Sequence, residues 1–155
     1  MSKKVVVVDD TVEKYNAIRD YFSKYHPSFE LSWFRNLRQS QNNLLYFEYD
    51  LLVLDMSFER HGATSEDVTF NGLAGLHVLQ FLWIESIEVP TIIITTHDKY
   101  SDPDFGEIIG LDGLRDHISK NFGDVVVDCI SMGPDEHEWH RNLTEAIAKC
   151  GILNK

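Results

Sequence analysis

Val5 to Val8 form an unbroken apolar, β-branched run; Leu51 to Leu54 and Val125 to Val127 are further apolar runs, and Thr91 to Ile94 is another, apolar after its threonine. Runs that are apolar at every position, not every second one, predict strands buried on both faces, as in a parallel sheet covered by helices. Phe29-Glu30-Leu31-Ser32-Trp33-Phe34 alternates in part and reads as a further strand at an edge. Between these runs the period changes. Val12, Tyr15, Ile18, Phe22 and Tyr25 recur at steps of three and four, as do Trp139, Leu143, Ile147 and Cys150, so each set predicts a helix with one face on the sheet. Leu73 to Ile87 is a more apolar helix that stops before Val89-Pro90, because proline disfavours helix in the residue before it. Leu111, Leu114, Ile118 and Phe122 mark another, closed by Gly123, and a shorter one lies around Leu37 to Phe47.

Strand and helix therefore alternate throughout. The pattern predicts an α/β fold: a doubly wound, five-stranded parallel sheet with helices on both faces, joined by right-handed crossovers. Such a sheet puts its ligand site at the carboxyl ends of the strands. Two connections, 57–71 and 97–110, leave that edge and read as long loops, a length at which loops are often functional.

Composition narrows the function. A chain of 155 residues buries roughly 68–70% of its unfolded surface, enough for one domain, 1–155, without staples or a separate output domain. With 14 Lys and Arg against 25 Asp and Glu, the net charge of -11 argues against a general nucleic-acid or anionic-membrane binder, which needs a basic face; Lys3-Lys4 is too short to supply one. Met1-Ser2-Lys3-Lys4 leads into only four valines, far short of a signal sequence or of the ~20 residues of a spanning helix. Cys129 and Cys150 lack CxxC spacing and read as ordinary thiols of a reducing compartment. The expectation is a cytoplasmic protein.

The chemistry gathers at strand ends. Asp9 and Asp10 end the first strand and Asp55 the third, and in a doubly wound sheet these strands are neighbours, so three carboxylates converge. Like charges so close are costly, and a hard, oxygen-seeking cation such as Mg²⁺ relieves them. Thr95 and Thr96 bring hydroxyls to the same edge from the fourth strand. A carboxylate beside Mg²⁺ and a hydroxyl donor can act as a nucleophile toward phosphorus, with Asp55 the candidate acceptor. Asp10-Thr11-Val12-Glu13 also has the form of a capping box with Asp10 as N-cap, a role compatible with metal binding if Asp9 and Asp10 divide the work. Gly72 and Gly75 read as turn and close-packing glycines, and His137 and His140 as a solvated face lacking a third metal ligand. His97, directly after the threonines, could donate to a phosphoryl oxygen.

These motifs, Val5-Val6-Val7-Val8-Asp9-Asp10, Leu51-Leu52-Val53-Leu54-Asp55-Met56, Gly72-Leu73-Ala74-Gly75-Leu76 and Val89-Pro90-Thr91-Ile92-Ile93-Ile94-Thr95-Thr96, resemble the CheY-like receiver domain of two-component response regulators over about residues 3 to 150. The resemblance implies a flavodoxin-like fold. It implies that Asp9, Asp10, Asp55 and the backbone carbonyl of Ser57 hold Mg²⁺, with Asp10 a direct ligand. Asp55 would accept phosphate from a histidine kinase or phosphotransfer protein, and Thr95 would hydrogen-bond the phosphoryl group. The output would be altered binding to a downstream protein partner, with no nucleic acid or membrane involved and a homodimer left open. By the resemblance the chain is a stand-alone signalling domain, not an enzyme.

Two parts of the pattern are missing. Receiver domains carry a lysine near the end of the fifth strand, where this chain has Gly133, and an aromatic residue near Ile130 is also absent. Arg60, Lys99 or Lys120 could supply a substitute cation from elsewhere. The alternative is a pseudo-receiver, an adaptor that binds its partner without phosphorylation. A phosphatase of the haloacid dehalogenase type is disfavoured, because its two aspartates stand two residues apart and face one substrate, whereas Asp9 and Asp10 are adjacent.

Overall fold

The structure is a computed structural model that describes residues 2–56, 74–96, 99–102 and 105–154. Five parallel strands, β1 (Lys4–Val8), β2 (Glu30–Phe34), β3 (Leu51–Leu54), β4 (Thr91–Thr95) and β7 (Val126–Ser131), form one sheet in the order β2-β1-β3-β4-β7. The helices are α1 (Val12–Tyr25), α2 (Leu37–Tyr46), α3 (Ala74–Ile84), α4 (Gly110–Phe122) and α5 (Glu136–Lys149). This is the flavodoxin-like α/β architecture, with β2 at an edge and β1 beside β3 as the sequence predicts.

Because side chains alternate across a strand, the unbroken apolar runs feed two cores at once. Val6, Val8, Leu52, Leu54 and Ile93 face α2, α3 and α4; Val5, Val7, Leu51, Val53, Ile92 and Ile94 face α1 and α5. Every residue of Val5–Val8 is fully buried, whereas β2, covered less completely, is only half-buried along Leu31–Phe34. At ~25 cal/mol per Å², this two-sided burial is the dominant favourable term holding the central strands.

Two departures bear on function. The segment read as a loop over 97–110 contains an antiparallel hairpin, β5 (Lys99–Asp102) and β6 (Gly106–Ile109), in which Tyr100 pairs with Ile108. Both side chains are buried, at 1% and 6% exposure, so the hairpin packs on the domain through two anchors. The other long connection, 57–71, lies outside the described residues. In α1 the buried stripe is Lys14, Ile18, Tyr21 and Phe22; of the expected set, Ile18 and Phe22 are buried and Tyr15 packs against the core, while Val12 and Tyr25 are exposed. A lysine thus enters the protein from the first turn of that helix.

No helix among the described residues is long and apolar enough to cross a membrane. Cys129 is buried and Cys150 half-buried, both as free thiols, and burial pushes them up to about 12 and about 11.

Candidate functional site

The parallel pairing of β1 with β3 brings Val8 opposite Leu54, so the residues that follow, Asp9-Asp10 and Asp55, emerge side by side. Backbone bonds fix both exits: Asp55 N–H donates to Val8 O (3.0 Å) and Asp9 N–H to Phe34 O (3.1 Å). Asp9 O accepts from the Trp33 indole N–H at 2.7 Å, and that ring stacks on Tyr15 with centroids 4.2 Å apart. The first strand's carboxyl end is therefore held from β2 and α1 together. One carboxylate oxygen from each of Asp9, Asp10 and Asp55 lies within 4.8 Å of the others. The convergence predicted from strand order is present.

The carboxylates differ in their surroundings. Asp9 is 1% exposed and Asp55 5%, while Asp10 is half-buried. Asp9 Oδ1 accepts from Thr11 N–H at 2.9 Å, and Thr11 Oγ1 donates to Asp10 Oδ1 at 3.3 Å. The N-cap of α1 is Thr11, not Asp10, and its own side chain makes no capping bond, so the expected box with Asp10 as N-cap is not formed; the Thr11 amide donates instead to Asp9. Asp10 is thus left for other work. Asp55 Oδ1 accepts from Met56 N–H at 2.9 Å. Gly75, in the first turn of α3, lies so close beneath this corner that a Cβ there would sit 2.5 Å from Asp55 O, so its predicted close-packing role holds.

Lys14 is absent from the residues that the sequence pattern singles out. Its Nζ stands 2.9 Å from Asp55 Oδ1 and 3.2 Å from Asp9 Oδ2, and donates to Ile94 O at 2.6 Å. The side chain is only 6% exposed, so its methylene stem is buried along α1 and its charge is spent inside the site. Arg60 lies outside the described residues, Lys99 pairs with Glu107 across the hairpin (3.4 Å), and Lys120 pairs with Asp116 within α4 (3.0 Å). Among the described residues the cation placed against the carboxylates is Lys14, which the sequence reading does not suggest. A signal for it exists: Lys14 stands one helical turn before Ile18 on the stripe that continues through Tyr21 and Phe22.

Among the described residues, one ammonium stands against three carboxylates and does not balance them. Burial raises the pKa of Asp55 to about 7; Lys14 opposes the rise and the Asp9 charge adds to it. Burial likewise raises Asp9, against the pull of Lys14. Asp9 Oδ2 is buried and, apart from the ion pair, receives no hydrogen bond among the described residues. An all-oxygen cluster with surplus negative charge and an under-partnered carboxylate oxygen suits a hard divalent cation, which prefers such donors and keeps several waters. The residues therefore fit Mg²⁺. The Ser57 carbonyl, the remaining expected ligand, lies outside the described residues.

Thr95 ends β4 as expected and is fully buried, its hydroxyl hydrogen-bonded to the Tyr100 hydroxyl of the hairpin. Tyr100 thus places an aromatic hydroxyl beside the sheet edge although the aromatic expected near Ile130 is absent. Gly133 lies beyond β7 with open space around it, and His97 is outside the described residues. His140 is buried among Trp139, Tyr21 and Tyr25, so it packs in the aromatic core of α1 and α5 and is not the solvated residue anticipated.

No family model matches the sequence, and no curated protein matches it. Solved structures do. A signal receiver domain from Vibrio parahaemolyticus superimposes with a TM-score of 0.66 at 14% identity, over 99% of this chain and 96% of that one. A CheY-like response regulator receiver domain protein from Methanospirillum hungatei JF-1 gives 0.62 at 11% identity, over 97% and 98%. A response regulator from Thermotoga maritima, solved in complex with Mg²⁺ and beryllium fluoride, gives 0.58 at 14% identity, over 93% and 98%. The chain has the receiver-domain fold, and its acidic cluster sits where strand order puts the ligand edge of that fold.

Proposed function

We propose that the chain is a divergent receiver domain in which Asp55 accepts a phosphoryl group, Asp9 and Asp10 together with Asp55 and the Ser57 carbonyl hold Mg²⁺, and the phosphorylated state changes affinity for a protein partner. The observation that carries this reading is the meeting of the three carboxylates within 4.8 Å at the carboxyl edge of a receiver-fold sheet. When bound, the metal supplies charge neutralisation for the oxygens of the transferring phosphoryl group. Asp55 provides the nucleophilic carboxylate. Asp9 and Asp10 hold the cation beside it, and Thr95 would offer its hydroxyl to the phosphoryl oxygens on leaving Tyr100. A histidine kinase or phosphotransfer protein is the donor this chemistry calls for, and a cytoplasmic setting follows from that donor. The domain is then a signalling module, not a catalyst of turnover.

A second reading has its own support. Asp55 is 5% exposed, and its Oδ1 is already engaged by Lys14 and Met56, while position 133 has no lysine. These features suit a pseudo-receiver whose binding face is fixed. Incubation with a small acyl phosphate and Mg²⁺, followed by intact mass measurement on wild type and Asp55→Asn, separates the two. An adduct confined to wild type supports phosphorylation; Mg²⁺ binding without an adduct supports the fixed adaptor.

A further inference from the structure

The two oxygens of Asp55 are not equivalent. Oδ1 faces the Lys14 ammonium at 2.9 Å and accepts the Met56 N–H at 2.9 Å, whereas Oδ2 has no hydrogen-bond or ion-pair partner among the described residues. Lys14 itself is anchored: the same Nζ reaches Asp9 Oδ2 and the Ile94 carbonyl, so its three N–H bonds face three acceptors, two just past the ends of β1 and β3 and one on β4. An ammonium held at three points is a fixed charge, not a wandering side chain. It pins one edge of the Asp55 carboxylate and leaves the other free.

From this asymmetry we propose that Lys14 is the positioning residue of the Asp55 reaction, clamping Oδ1 so that Oδ2 is the attacking oxygen. The assignment rests on the phosphoacceptor reading above. In the step, Oδ2 forms a bond to phosphorus while the bond from phosphorus to the donor atom breaks, and its electron pair leaves with the donor, as a carboxylate when the donor is an acyl phosphate. Oδ1 then becomes the carbonyl oxygen of the aspartyl phosphate, still facing the ammonium. The same contact would stabilise the carboxylate that is released when the phosphoryl group is lost, so Lys14 serves both directions. A lysine on the first turn of α1 thereby occupies a role for which the stretch from Ser131 to Asp135 offers no basic side chain.

The test compares phosphorylation time courses of wild type, Lys14→Met and Lys14→Gln with a small acyl phosphate and saturating Mg²⁺, read by intact mass. Circular dichroism and calorimetric Mg²⁺ titration are run on each protein. Both variants should fold and bind Mg²⁺ at least as tightly as wild type, since a competing positive charge has been removed. Both should form the adduct roughly tenfold to 10²-fold more slowly, with the loss in the maximal rate and not in the donor concentration giving half of it. Lys14→Gln keeps a donor for Ile94 O, so a slow Lys14→Gln assigns the effect to the charge. A folded, Mg²⁺-bound Lys14→Met that is phosphorylated at the wild-type rate overturns the assignment alone. No adduct on wild type overturns the phosphoacceptor reading and the assignment with it.

Discussion

Lys14 Nζ lies 2.9 Å from Asp55 Oδ1, a buried ion pair between the first turn of α1 and the end of β3. Removing one partner of a buried pair leaves the other charge uncompensated, which typically costs about 3–5 kcal/mol. Lys14→Met in the presence of chelator should therefore lose about 3 kcal/mol, the lower end, because Asp55 can take up a proton instead of remaining charged. Mg²⁺ should restore a larger share of stability to this variant than it adds to wild type. Urea denaturation with and without Mg²⁺ measures both quantities, and an equal Mg²⁺ increment in the two proteins would argue that the cation and the ammonium act at different places.

Gly133 stands where a receiver's lysine is expected, and a Cβ there meets nothing within 4 Å. If the absent ammonium limited the site, Gly133→Lys would strengthen binding of a phosphoryl analogue. Since Lys14 already faces Asp55, the expected result is unchanged affinity for beryllium fluoride in the presence of Mg²⁺. A marked gain would mean that the Lys14 charge is wholly consumed by Asp9 and Asp55.

The strands are legible because Val5–Val8, Leu51–Leu54 and Ile92–Ile94 are apolar at every position, which neither a half-solvated strand nor an amphipathic helix would be. Strand order then places Asp9, Asp10 and Asp55 together without further information. Lys14 escapes a sequence reading because an amphipathic helix is recognised by its apolar residues, and a lysine is assumed to face water. Val12 fits the apolar period better and is nevertheless exposed. The hairpin escapes for a related reason. Lys99-Tyr100-Ser101-Asp102 and Gly106-Glu107-Ile108-Ile109 show no sustained alternation, and among the side chains described there only Tyr100 and Ile108 are buried. The pairing of these two across the strands fixes the register, a tertiary fact that neither segment announces alone.

Tyr100 joins the hairpin to the site through its bond with Thr95. Tyr100→Phe keeps the ring and deletes the hydroxyl, so the net loss should be about 0.5–1.5 kcal/mol, the usual worth of one hydrogen bond. Hydrogen exchange should quicken in Lys99–Ile109 while β1 and β3 remain protected, because the deleted bond ties the hairpin to β4 and not to the sheet centre. Uniform change across the sheet would contradict that division.

Gly75 admits no side chain. A Cβ at this position would lie 2.2 Å from Met56 Cε and 2.5 Å from the Asp55 carbonyl oxygen, and the second of these is backbone that cannot swing aside. Gly75→Ala must push α3 away from the end of β3, at about 1–3 kcal/mol for overpacking. Since Gly75 N–H also donates to Met56 O at 2.9 Å, the shift should reach Asp55 and weaken Mg²⁺ binding as well as lower the melting temperature. Destabilisation with Mg²⁺ affinity intact would show that the packing and the site are mechanically separate.

His26 gives a pH dependence whose sign can be worked out. Its Nε2 is buried without a hydrogen-bond partner among the described residues, its ring stacks on Phe29 at 4.9 Å, and burial holds its pKa below the ordinary value. In the unfolded chain the imidazole protonates near the ordinary value, about 6.5, while the folded protein still keeps it neutral. The unfolded state therefore binds more protons in that range, and stability from this group is present above it and lost as pH falls through the folded pKa. Burial lowers His140 in the same sense, whereas Asp55, raised to about 7, takes its proton in the folded state first and works the opposite way. Both groups remain in His26→Phe, so they cancel when the two proteins are compared. The variant keeps an aromatic ring against Phe22 and Phe29 and cannot titrate. Urea midpoints in chelator should fall less for His26→Phe than for wild type between about pH 7 and about pH 5, and parallel pH profiles would show that the half-buried imidazole carries no titration cost.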